Sequence, residues 1–278
     1  MDQQNIAILG LGIVGSRVRA RLIDAGHRVT SWSRTYRGLE GEKTTAAEAV
    51  VGADVVGIFL KDAPALRQVM TEVIASLRKG VLVMNHATVD LPTTSWLAGQ
   101  CSAHGCEFLD APFTGSKEAA AAGQLLFYVG GCEALMGKVT GYFESVCKGW
   151  MHCGEVGTAT VTKLATNLIS ACTMQAMGEA LLVASKHGVR PEVFTEAAIR
   201  NGSGSPLMAM KYPAILKGDF EPHFTLSNMW KDSRYALALA EMKDVELPGL
   251  SLVSRRMGEM CETGMGDLDY SAIAKADE

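Results

Sequence analysis

The chain has 278 residues, of which 48% are hydrophobic and 20% are charged. This length is typical of about two domains, and the composition excludes an intrinsically disordered chain and a small scaffold held by disulfides. The 26 Lys and Arg residues and 30 Asp and Glu residues give a formal net charge of -4. Because no basic stretch would follow a phosphate backbone, we expect no nucleic-acid partner.

The seven cysteines are scattered, without a Cys-x-x-Cys pair and without histidines spaced to complete a zinc site. We therefore predict free thiols, no metal site and a reducing, cytoplasmic location. The first residues lack the charged segment and cleavage site of a signal peptide. The uncharged stretch of residues 164–178 is too short to cross a bilayer, so we expect no membrane partner.

Short apolar segments alternate with helix-sized segments from the start of the chain to about residue 153. This alternation predicts an α/β domain with a doubly wound sheet of parallel strands and crossover helices. The predicted strands are Asn5–Leu9, Arg28–Trp32, Asp54–Leu60, Val81–Asn85, Cys106–Asp110 and Leu125–Gly130.

Strand-like segments stop after Gly157, and residues 158–187 form one long helical pattern without proline. Gly188 and Pro191 end that pattern. We therefore predict an α/β domain over residues 1–156 and an all-α domain over residues 157–278, joined by the long helix. Further helices are predicted over residues 191–200, 224–243, 248–263 and 270–276.

Three glycines follow the first predicted strand and open the first helix. Gly10 allows a tight turn, Gly12 lets the backbone approach a pyrophosphate, and Gly15 lets the helix pack on the strand. The amides and dipole of the helix would face the phosphates. The motif predicts a Rossmann domain whose cofactor contacts are Gly10, Leu11, Gly12, Ile13, Val14 and Gly15.

The end of the second predicted strand indicates which dinucleotide is bound. An NAD site usually places Asp or Glu there, whereas an NADP site offers Arg to the 2′-phosphate. Here the residues are Ser33, Arg34 and Thr35, and no acidic residue occurs between Asp24 and Glu40. We predict NADP(H) in preference to NAD(H); the alternative is that Arg34 is an ordinary solvated cation.

Two further segments carry residues suited to substrate chemistry. Thr114, Gly115 and Ser116 form a hydroxyl-rich turn whose amides would suit a carboxylate, although a plain loop is an equal interpretation. Lys163 and Asn167 lie one turn apart on the long helix. A lysine in a nearly uncharged helix indicates either a general acid/base or a side chain that reaches out to water.

Together these segments resemble the β-hydroxyacid dehydrogenases. Residues 10–34, 110–116, 157–167 and 230–232 occur in the order and spacing of that family, which includes 3-hydroxyisobutyrate dehydrogenase. The Gly-Ser-Lys sequence at 115–117 is most similar to the glyoxylate/succinic semialdehyde reductase branch. The resemblance implies a Rossmann domain, an all-α domain for substrate binding and oligomerisation, and a homodimer or homotetramer.

The resemblance also implies residue roles. Lys163 would be the catalytic acid/base, Asn167 would orient the substrate, and Thr114 and Gly115 would hold a substrate carboxylate. It further implies substrate contacts from Ser116 and Phe224 and cofactor contacts from Leu60, Lys61, Asp62, Thr88 and Lys231.

Three residues depart from the family pattern. Thr114 replaces a serine, Ala159 replaces a glycine before the catalytic lysine, and Ala87 replaces a serine before Thr88. The extra methyl group of Thr114 would shrink the substrate pocket. The loss of a hydroxyl at position 87 removes one anion partner, so the departures bear on substrate choice.

The sequence thus predicts NADPH-dependent hydride transfer to a small aldehyde or keto acid, or from the matching β-hydroxyacid, with Lys163 as general acid/base. One alternative is an NADPH enzyme like the imine reductases, which the presence of Lys163 disfavours. Another is a non-catalytic dinucleotide-binding scaffold, disfavoured because Lys163, Asn167 and Lys231 are all present and residues 270–278 are not basic.

Overall fold

The apolar segments of the first half form the strands of one sheet in the computed structural model, which describes residues 3–275. The sheet order is β2-β1-β3-β4-β5-β7-β6, and β8 pairs with β7. The strands are β1 (Asn5–Leu9), β2 (Arg28–Trp32), β3 (Val55–Ile58), β4 (Leu82–Asn85), β5 (Glu107–Asp110), β6 (Phe113–Thr114), β7 (Leu125–Gly130) and β8 (Cys147–Gly154).

Strands β1 to β5 are parallel, as the sequence predicts. Ile6 pairs with Val29 on one side and with Val55 on the other, and β3, β4 and β5 continue in parallel register. Every residue of β3 and β4 is buried. Continuous burial is expected where helices cover both faces of a parallel sheet.

The far edge of the sheet departs from the prediction. Strand β7 is antiparallel to β5 and β6, so the prediction of a parallel strand there was wrong. The chain leaves β6 through a five-residue helix, Lys117–Ala121, which turns it back instead of carrying it across the sheet. The sequence did not indicate β8, because its exposed Lys148, Trp150 and Met151 break the apolar pattern of a buried strand.

Helices flank the sheet, and side chains of the sequence cap several of them. Thr45 forms a capping box with Glu48, while Asp62, Asp90 and Ser116 cap later helices. The helices are α1 (Gly15–Asp24), α2 (Ala46–Ala49), α3 (Ala63–Val73), α4 (Leu91–Ala103), α5 (Lys117–Ala121) and α6 (Thr140–Val146), with 3₁₀ turns at Ile74–Ser76 and Glu133–Val139.

The rest of the described chain is helical. The helices are α7 (Thr158–Lys186), α8 (Pro191–Arg200), α9 (Pro206–Lys217), α10 (Leu226–Glu241) and α11 (Pro248–Met260), followed by a π-helical turn, Cys261–Met265, and a 3₁₀ turn, Tyr270–Ala274. Helix α9 was not predicted, because Pro213 lies inside it. Methionines and aromatic rings fill the helical core, among them Met174, Met177 and Tyr212.

The chain divides into two compact units, one ending at Lys163 and the other beginning at Leu164. The division falls inside α7, and the domain ranges 1–156 and 157–278 stay a prediction. By length and composition, α7 is the one helix within residues 3–275 that could also cross a membrane. Its residues Ala171 and Met174 are nevertheless buried in the helical core of the second unit.

Candidate active site

The topology brings the predicted cofactor residues of the first unit to one edge of the sheet. Strands β1 to β4 are parallel, so the segments that follow them emerge at the same edge. Ligands of open α/β sheets bind at this carboxyl edge. The predicted residues that follow these strands are Gly10–Gly15, Ser33–Thr35, Leu60–Asp62 and Thr88.

The glycine turn has the geometry of a phosphate cradle. Gly10 has φ +105°, and a Cβ there would collide with the Phe59 carbonyl group. A Cβ at Gly15 would collide with the carbonyl oxygen of Gly10, whereas a Cβ at Gly12 would meet no protein atom within 4 Å. Val14, at the N-cap position of α1, makes no side-chain capping hydrogen bond. The open space at Gly12 and the uncapped helix together fit a pyrophosphate.

The segment after β2 contains an acidic residue whose role the sequence did not reveal. Ser33 Oγ donates to the Thr35 carbonyl oxygen at 2.7 Å and lies 3.2 Å from Glu42 Oε1. Glu42 is only 7% exposed, while Arg34 and Thr35 are exposed. The sequence gives no local sign of this contact. It forms only because the chain returns to the sheet, where Glu42 pairs with Ser31 in a parallel bridge.

Two of the predicted cofactor segments are held rigidly. Asp62 caps α3 by accepting a hydrogen bond from the Ala65 amide at 2.9 Å. Before Thr88, the Asn85 side chain accepts from the Ala87 amide and donates to the Ala87 carbonyl oxygen, each at 3.1 Å. These bonds fix the backbone on which the predicted contacts lie.

His86 is a buried link between three elements. Its Nδ1 is 2.7 Å from the Ala111 carbonyl oxygen, which assigns the proton to Nδ1, and its Nε2 accepts from the Tyr142 hydroxyl group at 3.0 Å. Its ring stacks on Tyr142 and lies 4.6 Å from the Phe59 ring centroid. Burial lowers the pKa of His86 to about 4, although the hydrogen bond to Ala111 acts in the opposite direction.

Asp110, at the end of β5, caps the long helix. Its carboxylate accepts from the Thr160 amide at 2.8 Å and from the Thr160 hydroxyl group at 2.9 Å, and Thr160 Oγ1 is also 2.9 Å from Thr94 Oγ1. Burial raises the pKa of Asp110 to about 6, against the opposing hydrogen bonds from Thr160 and Gly157. Lys163, half-buried, follows Thr160 by about one turn of α7.

The predicted substrate turn follows Asp110 directly. Thr114 is half-buried in β6 and pairs with Leu126. Gly115 has φ +140°, and a Cβ there would lie 2.8 Å from a Leu125 methyl group, so a larger residue would strain the turn. Ser116 Oγ accepts from the Ala119 amide at 3.2 Å, which makes Ser116 the cap of α5.

In the second unit, one buried carboxylate holds two predicted site residues. Asn167 Nδ2 donates to Asp232 Oδ2 at 2.7 Å, and Lys231 Nζ lies 3.1 Å from Asp232 Oδ1. Lys231 Nζ is also 5.3 Å from the centroid of the Tyr235 ring. Asp232 therefore fixes the orientation of the Asn167 amide and anchors Lys231.

Phe224 is anchored by a second buried carboxylate of this unit. The amides of His223 and Phe224 donate to Asp269 Oδ2 at 3.0 and 3.3 Å, and Lys211 forms a 2.6 Å ion pair with Asp269 Oδ1. The Phe224 ring packs edge to face on Tyr270. The loop before α10 therefore has a fixed backbone.

Comparison with known proteins identifies the family. A family model described as the NAD-binding domain of 6-phosphogluconate dehydrogenase matches residues 5–157. A model described as NAD-binding of NADP-dependent 3-hydroxyisobutyrate dehydrogenase matches residues 157–276. The chain belongs to the β-hydroxyacid dehydrogenase family.

Individual relatives agree with this assignment. The chain is 30% identical to glyoxylate/succinic semialdehyde reductase 2, chloroplastic, of Arabidopsis thaliana, over 98% of the chain and 79% of that protein. It is 26% identical to 2-(hydroxymethyl)glutarate dehydrogenase of Eubacterium barkeri, over 97% of the chain and 93% of that protein. The solved structure of Mycobacterium tuberculosis 3-hydroxyisobutyrate dehydrogenase with L-serine has a TM-score of 0.91 and 26% identity, covering 99% of both chains.

The class follows from these findings. The protein is a nicotinamide-dinucleotide-dependent oxidoreductase of hydroxyacids, with a Rossmann domain and a helical C-terminal domain.

The glycine turn generates the first prediction. We expect Gly12→Ala to change the free energy of unfolding by no more than about 0.5 kcal/mol, because its Cβ meets no protein atom. The same methyl group occupies the cradle, so we expect the Kd for NADPH to rise at least tenfold, or about 1.4 kcal/mol. Urea unfolding and titration of NADPH fluorescence measure the two quantities.

Gly15→Ala is the matched control. Its Cβ would collide with the Gly10 carbonyl oxygen, so we expect it to lower the free energy of unfolding by about 1–3 kcal/mol. A Gly12→Ala protein that binds NADPH as tightly as the wild type would contradict the phosphate cradle.

The buried His86 generates a pH prediction. Between pH 6.5 and about 4 the unfolded chain binds a proton at this residue and the native chain does not. The contribution of neutral His86 to the free energy of unfolding is therefore fully present above pH 6.5, and it decreases as the pH falls toward 4. We expect the stability advantage of the wild type over His86→Gln to be about 2 kcal/mol smaller at pH 5 than at pH 7.5, measured by urea unfolding.

His104→Gln serves as the control, because His104 is exposed. We expect its stability difference from the wild type to be the same at both pH values. If the stability difference between His86→Gln and the wild type is also the same at both pH values, His86 is not buried in its neutral form.

Proposed function

We propose that this enzyme uses NADPH to reduce a small aldehyde or keto acid of the glyoxylate or semialdehyde type, or oxidises the matching β-hydroxyacid, with Lys163 as general acid/base. The observation that carries the proposal is the Asp110–Thr160 contact. Asp110 precedes Thr114 and Gly115 in the chain, and Thr160 precedes Lys163 by one helical turn. The contact therefore joins these two segments. The contact supports the proposal because the residues proposed as proton donor and as carboxylate-binding turn both adjoin it.

The relatives support the substrate class. They are named for glyoxylate, succinic semialdehyde and a substituted glutarate, and a similar structure was solved with L-serine. All of these molecules are small and carry a carboxylate together with a carbonyl, hydroxyl or amino group. The amides of Thr114 and Gly115 would bind that carboxylate, and the Thr114 methyl group would favour small substrates.

The cofactor would be held by residues of the first unit. The Gly10–Gly15 turn would bind the pyrophosphate, and Leu60–Asp62 and Thr88 would border the adenosine and nicotinamide ribose. Ser33, Arg34 and Thr35 would bind the 2′-phosphate, which supports NADPH in preference to NADH. When bound, the nicotinamide supplies the hydride that reaches the carbonyl carbon. Lys231 would contribute a further cofactor contact.

The residues of the chain supply proton transfer and orientation. In the reductive direction the Lys163 ammonium group would donate a proton to the carbonyl oxygen as negative charge develops there. In the oxidative direction the neutral amine would accept the alcohol proton. Asn167, held by Asp232, would orient the substrate without reorganising during the reaction.

The free thiols and an exposed apolar stripe support two further proposals. All seven cysteines are free, which supports a reducing, cytoplasmic location. Ile169 and Val183 of α7 are 63% and 61% exposed and lie four turns apart on the same side of the helix. We propose that a second copy of the chain covers this stripe in a homodimer or homotetramer.

Replacement of the catalytic lysine tests the chemistry. We expect Lys163→Met to lower kcat by about 10²- to 10⁴-fold, the usual contribution of a general acid. The assay follows NADPH and NADH oxidation in parallel with glyoxylate, succinic semialdehyde and a cyclic imine. Lys186→Met, an exposed change on the same helix, should leave kcat unchanged. An unchanged kcat in Lys163→Met, or reduction of the imine alone, would contradict the proposal.

Charge on the apolar stripe tests the assembly. We expect Ile169→Asp with Val183→Asp to reduce the mass measured by light scattering, because two carboxylates would lose their hydration at the interface. Leu252→Asp, at a residue that is 54% exposed on α11, is the control and should keep the wild-type mass. If the double variant keeps that mass as well, the interface lies elsewhere.

A further inference from the structure

The segment between β2 and Glu42 is exposed but has a defined path. Residues 34–40 are all exposed and belong to no helix or strand. The segment ends where Glu42 forms a parallel bridge with Ser31, and Glu42 itself is buried. Gly41 has φ +72°, and a Cβ there would lie 2.6 Å from the Val29 carbonyl oxygen, so the return to the sheet requires glycine.

The Glu42 carboxylate organises this segment from the inside. Its Oε2 accepts from the Arg37 amide at 3.0 Å and from the Leu39 amide at 3.1 Å. Its Oε1, at 3.2 Å from Ser33 Oγ, shares the hydroxyl proton of Ser33 with the closer Thr35 carbonyl oxygen. All three donors belong to the segment between β2 and Glu42, so this one side chain joins the beginning, middle and end of the loop.

Other groups around Glu42 support the same arrangement. Burial raises the pKa of Glu42, but the hydrogen bonds from Leu39, Arg37 and Ser33 and the charge of Arg37 together lower it below its usual value. The side chain is therefore a carboxylate at neutral pH. Arg19 of α1 donates to Ser31 Oγ at 3.1 Å and also to the Glu40 carbonyl oxygen, which ties the loop to the helix of the glycine turn.

We propose that Glu42 is a specificity-determining residue that positions the Ser33–Thr35 segment to bind the 2′-phosphate of NADPH. The inference rests on the cofactor preference in the proposed function. The loop amides and Ser33 engage the carboxylate, so it shapes the loop and is not the acceptor for a ribose 2′-hydroxyl group. A loop that is ordered in advance avoids the entropic cost of ordering when the cofactor binds.

The effect is selective for one cofactor. Both dinucleotides carry the pyrophosphate that would lie on the glycine turn, and only NADPH carries the 2′-phosphate that would lie on Arg34 and Thr35. Loss of the Glu42 carboxylate should therefore weaken NADPH binding and leave NADH binding nearly unchanged. A side chain needed only for folding would affect both cofactors equally.

The binding test uses Glu42→Ala and Glu42→Gln in the full chain, with the Kd of NADPH and of NADH measured by fluorescence titration without substrate. We expect Glu42→Ala to raise the Kd of NADPH at least tenfold and that of NADH less than twofold. Glu42→Gln should retain most of the affinity, because its amide oxygen can accept from Arg37 and Leu39 while its nitrogen donates to Ser33 Oγ. Glu40→Ala, an exposed change in the same loop, should match the wild type.

Limited proteolysis reports the loop directly. We expect trypsin to cleave after Arg34 and Arg37 faster in Glu42→Ala than in the wild type or Glu40→Ala, with fragments identified by mass spectrometry. Equal cleavage rates would overturn the proposed role in ordering the loop.

Other binding outcomes are equally decisive. Equal weakening of both cofactors would make Glu42 a folding residue, and weaker NADH binding with stronger NADPH binding would make it the acceptor for the 2′-hydroxyl group. A wild type that binds NADH more tightly than NADPH would contradict the proposed cofactor preference. The Glu42 proposal itself fails if Glu42→Ala leaves the ratio of the two Kd values unchanged or shifts it toward NADPH.

Discussion

The structure of the first unit depends on the buried carboxylate of Asp110. A buried carboxylate is unfavourable unless hydrogen bonds replace its hydration, and here the amide and hydroxyl group of Thr160 do so. Those donors are at the beginning of α7, so satisfying the carboxylate also fixes where the long helix starts. The position of Lys163 follows from that start, because it lies one turn beyond Thr160. The end of β5 thereby sets the position of the group proposed to transfer the proton.

The second unit uses the same physical device. Asp232 is buried; Asn167 donates a hydrogen bond to its Oδ2, and the charge of Lys231 lies 3.1 Å from its Oδ1. Asp269 is satisfied by Lys211 and by the backbone that leads to Phe224. In each case a carboxylate that is costly to bury selects one arrangement of its neighbours, because other arrangements leave it without donors. At Asp232 the proposed functional residues Asn167 and Lys231 are themselves the partners of the buried acid, whereas at Asp269 the acid holds the backbone beside Phe224.

The sequence predicted the features that are encoded locally. The apolar segments predicted β1 to β5 and β7. The glycine turn predicted the dinucleotide site, and Pro191 predicted the start of α8. Residues whose role depends on distant contacts were not recognised. In the sequence, Glu42 is indistinguishable from an ordinary exposed loop glutamate. Only the parallel bridge between Glu42 and Ser31 places its side chain inside the loop. Strand β8 was missed because only the pairing with β7, and not an apolar pattern, defines it.

The three departures from the family pattern have different physical consequences. Ala159 is fully buried at the start of α7 and Ala87 is 5% exposed, so both methyl groups contribute to packing. The Ala87 backbone is already held by Asn85, so the turn keeps its shape without a hydroxyl at position 87. Thr114 is different, because it is half-buried at the end of β6, where the proposed substrate turn begins. Its extra methyl group changes the space beside the proposed carboxylate site while the Asp110 anchor stays the same. In the proposed function, substrate size therefore changes at this position without a change in the groups proposed to carry out the reaction.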